Sequence, residues 1–274
     1  MSVSDTDIAH WQEWVGRIEI RSELLDRETA RRFAAAIGES LDVDRLLPSL
    51  AHWAFFLPTV ASDLIEVDGH PRRGGFMPPI TLPRRMFAAS EMVFHAPLIL
   101  GWEADRTSTI LDVTHKSGRS GDLVLVKVGH RIAQAGMDRV SETQTIVYRD
   151  AGEATPAVQA GTVAPSEKDV QWSPGPVDLF RFSAVTFNSH RIHYDLPYVT
   201  GVEGYPALVV HGPLTATKLY GYARHAGQTP KTYGFRAIAP LFCDQPIVLR
   251  DDGAGHIRAI RCDGADAMTA VVKR

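Results

Sequence analysis

One order of elements, a helix followed by a run of strands, passes through this chain twice, and that repetition restricts its fold more than any other feature. In the first pass, residues 26–38 (DRETARRFAAAIG) read as a helix: Asp26 caps it, Glu28 puts an acid in its first turn, and Gly38 suits its exit. An apolar segment at 50–60 follows, with His52, Trp53, Phe55 and Phe56. At helical spacing these rings are expected in the core, with an acyl tunnel as the competing use. The Gly/Pro-rich stretch 68–83 (DGHPRRGGFMPPITLP) is expected to be irregular, either a lid or a plain connection. Strands are then predicted at 86–94, 98–105, 107–117, 123–133 and 140–148. Within them GDLVLVKVGHRI alternates apolar and polar residues, as a half-buried strand does.

The stretch 151–176, with Pro156, Pro165 and Pro174, breaks the periodicity and reads as a linker. After it the order returns: a polar-to-apolar segment at 178–198, an amphipathic helix at 213–226 and a loop with Gly227 and Pro230. Strands follow at 232–239, 246–251, 257–262 and 268–273. The wording repeats faintly too, HAPLILG at 95–101 against IAPLFCD at 238–244. The expected class is therefore α+β, with a helix laid against a curved antiparallel sheet in each of two units, 1–150 and 177–274. The units must pack together, because each sheet needs its second face or edge covered. The first has no counterpart of the histidine-rich segment described next, so it is expected to contribute substrate binding or packing rather than chemistry.

The bulk properties exclude several partners. A chain of 274 residues with 45% apolar and 22% charged residues can bury a full core. A net charge of −3 gives no reason to expect a nucleic-acid partner, whose phosphates would call for a clear basic excess. No apolar run approaches the ~20 residues that span a bilayer, and MSVSDTDIAHWQEW lacks the basic start and apolar stretch of a secretory signal. Cys243 and Cys262 belong to no closely spaced motif, which points to a reducing cytoplasm.

Reactive side chains concentrate at 182–195 (FSAVTFNSHRIHYD), where Asn188, His190, Arg191, His193 and Asp195 fall within eight positions. A second cluster, VVHGPL at 209–214, places His211 and Gly212 before Pro213, and proline favours the first helical position. The Gly212 N–H then lies at a helix N-terminus, where free donors and the helix dipole favour negative charge. Hydration of an enoyl thioester requires these parts. Water adds to the β-carbon while the carbonyl oxygen becomes an enolate, so a base and an oxyanion donor are needed. His193 can move a proton in both directions near neutral pH, Asn188 can orient the water, and Gly212 can hold the oxyanion. Reading His190, His193 and Asp195 as metal ligands fails for want of a third ligand cluster, so neither metal nor cofactor is expected. Arg84, Arg85 and Arg191 are candidates for the substrate's carboxylate or phosphates; solvated loop arginines are the competing account. His190 and His211 join them as candidate substrate contacts, His211 more for its place at the helix start than for its ring.

The motif resembles that of the MaoC-like hydratases, whose pattern runs Asp-x-Asn-Pro-x-His on a hot-dog fold. The same five-residue offset links Asn188 to His193, and His-Gly before the central helix matches His211-Gly212. Asn188 stands where that family has Asp, and His190-Arg191 stands for Asn-Pro. With FNSHRIHYD at 187–195 and FRAIAPLF at 235–242, the chain resembles the subgroup of hydroxyacyl-thioester dehydratase type 2 and the mesaconyl-CoA and itaconyl-CoA hydratases. That resemblance implies a double hot-dog, two antiparallel sheets each wrapped around a central helix. It also implies an acyl-CoA hydro-lyase, a homodimer, and a short branched dicarboxylic acyl-CoA as substrate. Because asparagine cannot take a proton, His193 is expected to act alone as acid/base while Asn188 positions water. A 3-hydroxyacyl-thioester dehydratase, a thioesterase and a non-catalytic acyl-CoA binder are the rival readings.

Overall fold

The computed structural model describes residues 3–40, 42–44, 47–118, 121–159, 161, 163, 165–225 and 230–274. Helix α1 (Asp5–Gln12) leads into β1 (Ile18–Leu24) and α2 (Arg27–Ala36), and a long irregular segment then reaches β2 (Arg84–Phe94). Three long strands follow, β3 (Glu103–Gly118), β4 (Gly121–Gln134) and β5 (Met137–Arg149). The second half carries β6 (Val170–Trp172), α3 (Pro176–Val185), α4 (Leu196–Gly201) and α5 (Gly212–His225). It closes with β7 (Thr232–Ala237), β8 (Ile247–Gly253), β9 (His256–Ile260) and β10 (Asp266–Lys273).

The strands form one ten-stranded antiparallel sheet in the order β1-β3-β4-β5-β2-β7-β10-β9-β8-β6. Numbered within its own half, each unit has its strands in the order 1-3-4-5-2, and the two second strands meet at the centre. That seam pairs Ala89 with Arg236 through Val93 with Thr232. The repeat seen in the sequence is thus a repeat of topology, and the two expected sheets are halves of a continuous one.

The helices follow local signals. The Asp26 carboxylate accepts the Thr29 N–H at 2.8 Å, and Ala30, Phe33, Ala34 and Ala36 bury one face of α2. Leu214, Ala216, Leu219 and Ala223 bury α5 against the second half-sheet. The first unit lacks an equivalent of α5. In that place the described residues hold two short 3-10 turns, Ala51–Ala54 and Ser62–Leu64, and the irregular stretch 68–83, while α2 packs on α3. Phe55 and Phe56 lie in the main core, and Trp53 packs on Phe87 and Phe235, as expected of core residues.

Three other expectations need correction. The predicted strands 98–105 and 107–117 are one strand, β3, kinked by a register shift between Ile110 and Asp112; Leu98 and Leu100 pack on the core before it begins. The linker contains β6, which pairs with β8 through Trp172 and Ile247. The polar-to-apolar segment 178–198 divides into α3, a 3-10 turn and part of α4. The expected end of the last helix, Ala226, and Gly227 lie outside the described residues. Cys243 and Cys262 are buried and free. Among the described residues no helix is long and apolar enough to cross a membrane.

Candidate active site

After α3 the chain reverses through Phe187, held at φ 48°, the left-handed region that a side chain rarely adopts. Two hydrogen bonds fix the turn: the Asn188 N–H donates to the Ser183 carbonyl at 2.9 Å, and the Asn188 side-chain oxygen accepts the His190 N–H at 3.0 Å. One 3-10 turn, Arg191–His193, then buries His193. Asp195 caps α4 by accepting the Tyr198 N–H at 3.1 Å, and its other oxygen binds the Arg191 guanidinium at 2.7 Å. Asp195 therefore takes no place beside the histidines.

The two motifs are laced together. The Val209 N–H donates to the Ile192 carbonyl at 3.0 Å, and the Val209 carbonyl accepts from His193 Nδ1 at 2.7 Å. A carbonyl can only accept, so Nδ1 carries the ring proton and Nε2 keeps its lone pair. The segment FRAIAPLF supports this arrangement from behind: the Val210 N–H donates to Leu241 at 2.8 Å, and the Cys243 N–H donates to Leu208 at 2.9 Å. Gly212 is the first residue of α5, and among the described residues its N–H has no protein acceptor. It follows His211 directly, and the His211 ring stacks on His193 with centroids 3.5 Å apart and planes 20° apart.

Four imidazoles form a row. His70 lies 4.1 Å from His190 between centroids, His190 lies 5.4 Å from His193, and His193 stacks on His211. Ser183 Oγ lies 2.9 Å from His211 Nε2 at the inner end, and the Asp68 carboxylate accepts from His70 Nδ1 at 2.9 Å at the outer end. All four rings are neutral at pH 7. Burial, then the charge of His190, pulls His193 down to about 3 against the Val209 hydrogen bond. Burial and then the charge of Arg85 bring His70 down to about 4. His190 is lowered by burial and His70, and His211 falls well below its usual value through burial and then His193. Neutral imidazole is the form that can accept a proton.

The remaining expected contacts divide. Arg84 is withdrawn as a substrate contact: it is buried, with its Nε 3.2 Å from the Glu203 carboxylate and its guanidinium over Tyr205. Arg191 is engaged by Asp195 and the Val67 carbonyl and lies 4.0 Å over Tyr198, so it ties the units together and its charge is already matched. The His211 ring is wholly buried and backs His193, out of a substrate's reach. His190 is buried within the row. Arg85 alone of the three arginines has no carboxylate partner among the described residues, and its charge bears on both His70 and His190.

Asp68 and His70 were not among the expected site residues. The sequence carries their Asp-x-His spacing inside DGHP, but nothing in it connects that loop to a motif 120 positions downstream. The connection is tight. The Asp68 carbonyl accepts the Arg191 N–H at 2.9 Å, Ser189 Oγ donates to the Gly69 carbonyl, and a Cβ on Gly69 would stand 1.8 Å from the Ser189 carbonyl oxygen. With φ at 93°, only glycine fits there.

Comparison with known proteins fits this geometry. The chain is 43% identical to the mesaconyl-C(4)-CoA hydratase of Chloroflexus aurantiacus over 274 residues, covering 97% of this chain and 98% of that one. It is 34% identical over 123 residues to a mitochondrial hydroxyacyl-thioester dehydratase type 2 of Schizosaccharomyces pombe, covering 43% of this chain and 41% of that one. Its fold matches HtdX of Mycobacterium tuberculosis with a TM-score of 0.69 at 18% identity, over 93% of this chain and 99% of the other. A second M. tuberculosis protein, described as a double hotdog, matches with a TM-score of 0.52 at 12% identity, over 94% of this chain and 96% of the other. The family model of hydroxyacyl-thioester dehydratase type 2 matches residues 50–243, so the double hot-dog built here from two halves of one sheet belongs to the hydroxyacyl-thioester dehydratase type 2 family.

Proposed function

We propose that this protein is a hydro-lyase that adds water across, or removes it to form, the double bond of an enoyl thioester, with His193 as its acid/base. The observation that carries this is the His193–Val209 hydrogen bond, which commits Nδ1 to a carbonyl and leaves Nε2 as the free base. In hydration, His193 Nε2 takes a proton from water as the water oxygen bonds to the β-carbon. The π electrons move onto the thioester oxygen, and the Gly212 N–H at the start of α5 stabilises the enolate. The His193 imidazolium then returns the proton to the α-carbon. Asn188 positions this machinery chiefly by fixing the turn that carries His190 and His193.

The substrate we assign is a short branched dicarboxylic acyl-CoA such as mesaconyl-CoA or itaconyl-CoA, with citramalyl-CoA as product. Two observations support it: the near full-length relative is a mesaconyl-C(4)-CoA hydratase, and Arg85, without a carboxylate partner among the described residues, bears its charge on the histidine row and suits a substrate carboxylate. Dehydration of a 3-hydroxyacyl thioester of fatty-acid metabolism, the activity in the family's own description, is the second reading. The chain acts as a homodimer in this proposal. Ile18, Ile20 and Leu24 are exposed along one face of edge strand β1, beside exposed Leu111, and offer a second copy an apolar surface.

An ultraviolet assay with mesaconyl-CoA, itaconyl-CoA and crotonyl-CoA tests the reading. Loss of the conjugated thioester absorbance, abolished in His193→Ala, is the expected result. Release of free CoA, or binding without conversion, would replace it with hydrolysis or plain acyl-CoA binding. Faster turnover of crotonyl-CoA and longer monocarboxylic substrates would sink the dicarboxylic assignment alone.

A further inference from the structure

The reaction leaves two demands unmet by His193 and Gly212. The attacking water has two O–H bonds and only one donates to His193, so a second acceptor must turn its lone pair toward the β-carbon. The imidazolium that forms at His193 is also buried, and a buried charge without a counter-charge costs several kcal/mol. Asn188 cannot meet the second demand, having no charge, and its oxygen already uses one of its two lone pairs on the His190 N–H.

We propose that Asp68 and His70, carried by the loop of the N-terminal unit, are the second half of the proton-transfer site: His70 Nε2 accepts the other O–H of the attacking water, and Asp68 holds that ring and supplies the counter-charge. The inference rests on the hydratase reading above. His70 is oriented on two sides, since one Asp68 oxygen accepts its backbone N–H at 2.9 Å and the other faces Nδ1 at 2.9 Å. A carboxylate on Nδ1 fixes the proton there and leaves Nε2 basic. Burial raises the Asp68 carboxyl, but the hydrogen bonds and charge of His70 outweigh it, so the group stays ionised. Its charge bears on His70 and on His190, the ring adjoining His193. His70 is also the most open ring of the row, with a side chain 19% exposed, so it stands on the side from which water and substrate arrive.

In the step, one O–H bond of water breaks and its proton goes to His193 Nε2. The oxygen bonds to the β-carbon, the π pair becomes the enolate, and the imidazolium hands that proton to the α-carbon. The second O–H never breaks. It donates to His70 throughout and leaves as the product hydroxyl. Asp68, His70 and His190 also cluster as metal ligands do. However, the charge of Arg85 bears on both His70 and His190 and opposes a cation there, and the Asp68–His70 hydrogen bond already employs one nitrogen and one oxygen of the trio.

The test uses the full-length protein with whichever enoyl-CoA the wild type converts fastest, comparing Asp68→Asn, His70→Ala and His193→Ala. Asp68→Asn should lower kcat about 10- to 100-fold, the scale of loss when a working group is misplaced by about 1 Å, with KM nearly unchanged. The acid limb of kcat/KM should move to lower pH, because removing the anion makes the neighbouring rings harder to protonate. His70→Ala should lose about as much kcat and recover part of it with added imidazole. The inference is overturned, and the hydratase reading stands, if both variants keep wild-type kcat and acid limb while His193→Ala is inactive. It is equally overturned if they lose activity with neither a shifted limb nor imidazole rescue, or if a chelator abolishes wild-type turnover and zinc restores it. A wild type that converts no enoyl-CoA overturns both.

Discussion

His211 lies flat against His193, 3.5 Å away between centroids, with its Nε2 on Ser183 and its Nδ1 without a partner. Burial and then His193 disfavour a positive charge on His211, while burial and then His190 do the same for His193, so both stacked rings stay neutral.

Stability should therefore fall as pH drops below neutral. A histidine whose folded pKa lies below its unfolded value of about 6.5 contributes stability above that pH and loses it as pH falls toward the folded value. For His193 the window runs from about 6.5 down to about 3. Each such ring steepens the loss by up to about 1.4 kcal/mol per pH unit. Urea denaturation from pH 7 to pH 5 should show this slope, reduced in His211→Gln; a flat profile would contradict the neutral row.

Replacing His193 by alanine should lower kcat by about 10²- to 10⁴-fold, the usual contribution of a positioned acid/base. Thioester binding should change little, which calorimetry with a saturated acyl-CoA would check.

Asn188 should behave differently. Asn188→Asp keeps an acceptor for the His190 N–H and should retain measurable turnover. Asn188→Ala frees the turn after Phe187 and should lose about 10-fold or more through misplacement. Equal inactivity of Asn188→Asp and His193→Ala in the hydration assay would refute this division of roles.

Much of this arrangement was legible in the residues. The helix start at Asp26, the strands at 123–133 and 140–148, and the helix after His211-Gly212 follow from capping and alternation. Those signals are local, and each element obeys them. The two motif segments also adjoin, His193 bonding to Val209 and stacking on His211 just before Gly212. What stayed hidden was non-local. No pattern in 68–83 shows that its carbonyls and carboxylate cover Ser189–Arg191, nor that Glu203 claims Arg84 while Arg85 next to it has no carboxylate partner among the described residues. Adjacent strand residues point to opposite faces, so two identical side chains have unlike fates.

That contrast gives a paired test. Arg85→Gln should raise KM for a dicarboxylic acyl-CoA about 10-fold or more and leave crotonyl-CoA nearly unchanged, as expected for a lost charge-assisted contact of about 1.5–3 kcal/mol. Arg84→Ala leaves Glu203 buried without its partner, and should cost about 3 kcal/mol of stability with little selectivity between substrates.

Gly69→Ala should be among the most damaging small substitutions, since the added methyl meets the Ser189 carbonyl and the backbone conformation excludes it. A fall in melting temperature together with loss of turnover is expected, and a variant with wild-type melting and kcat would show that the loop need not sit on the motif.

The shared 1-3-4-5-2 strand order of the two units is what a gene duplication leaves behind, and the fate of the copies differs. The second has the long helix α5 and the turn that carries His190 and His193. The first has the stretch 68–83 in its place, and Asp68 and Gly69 there bond to Arg191 and Ser189 of the other unit. Copies that have divided labour in this way are no longer spares for one another. Cutting the chain between the units would therefore strip the histidine motif of the backbone bonds that the other half supplies.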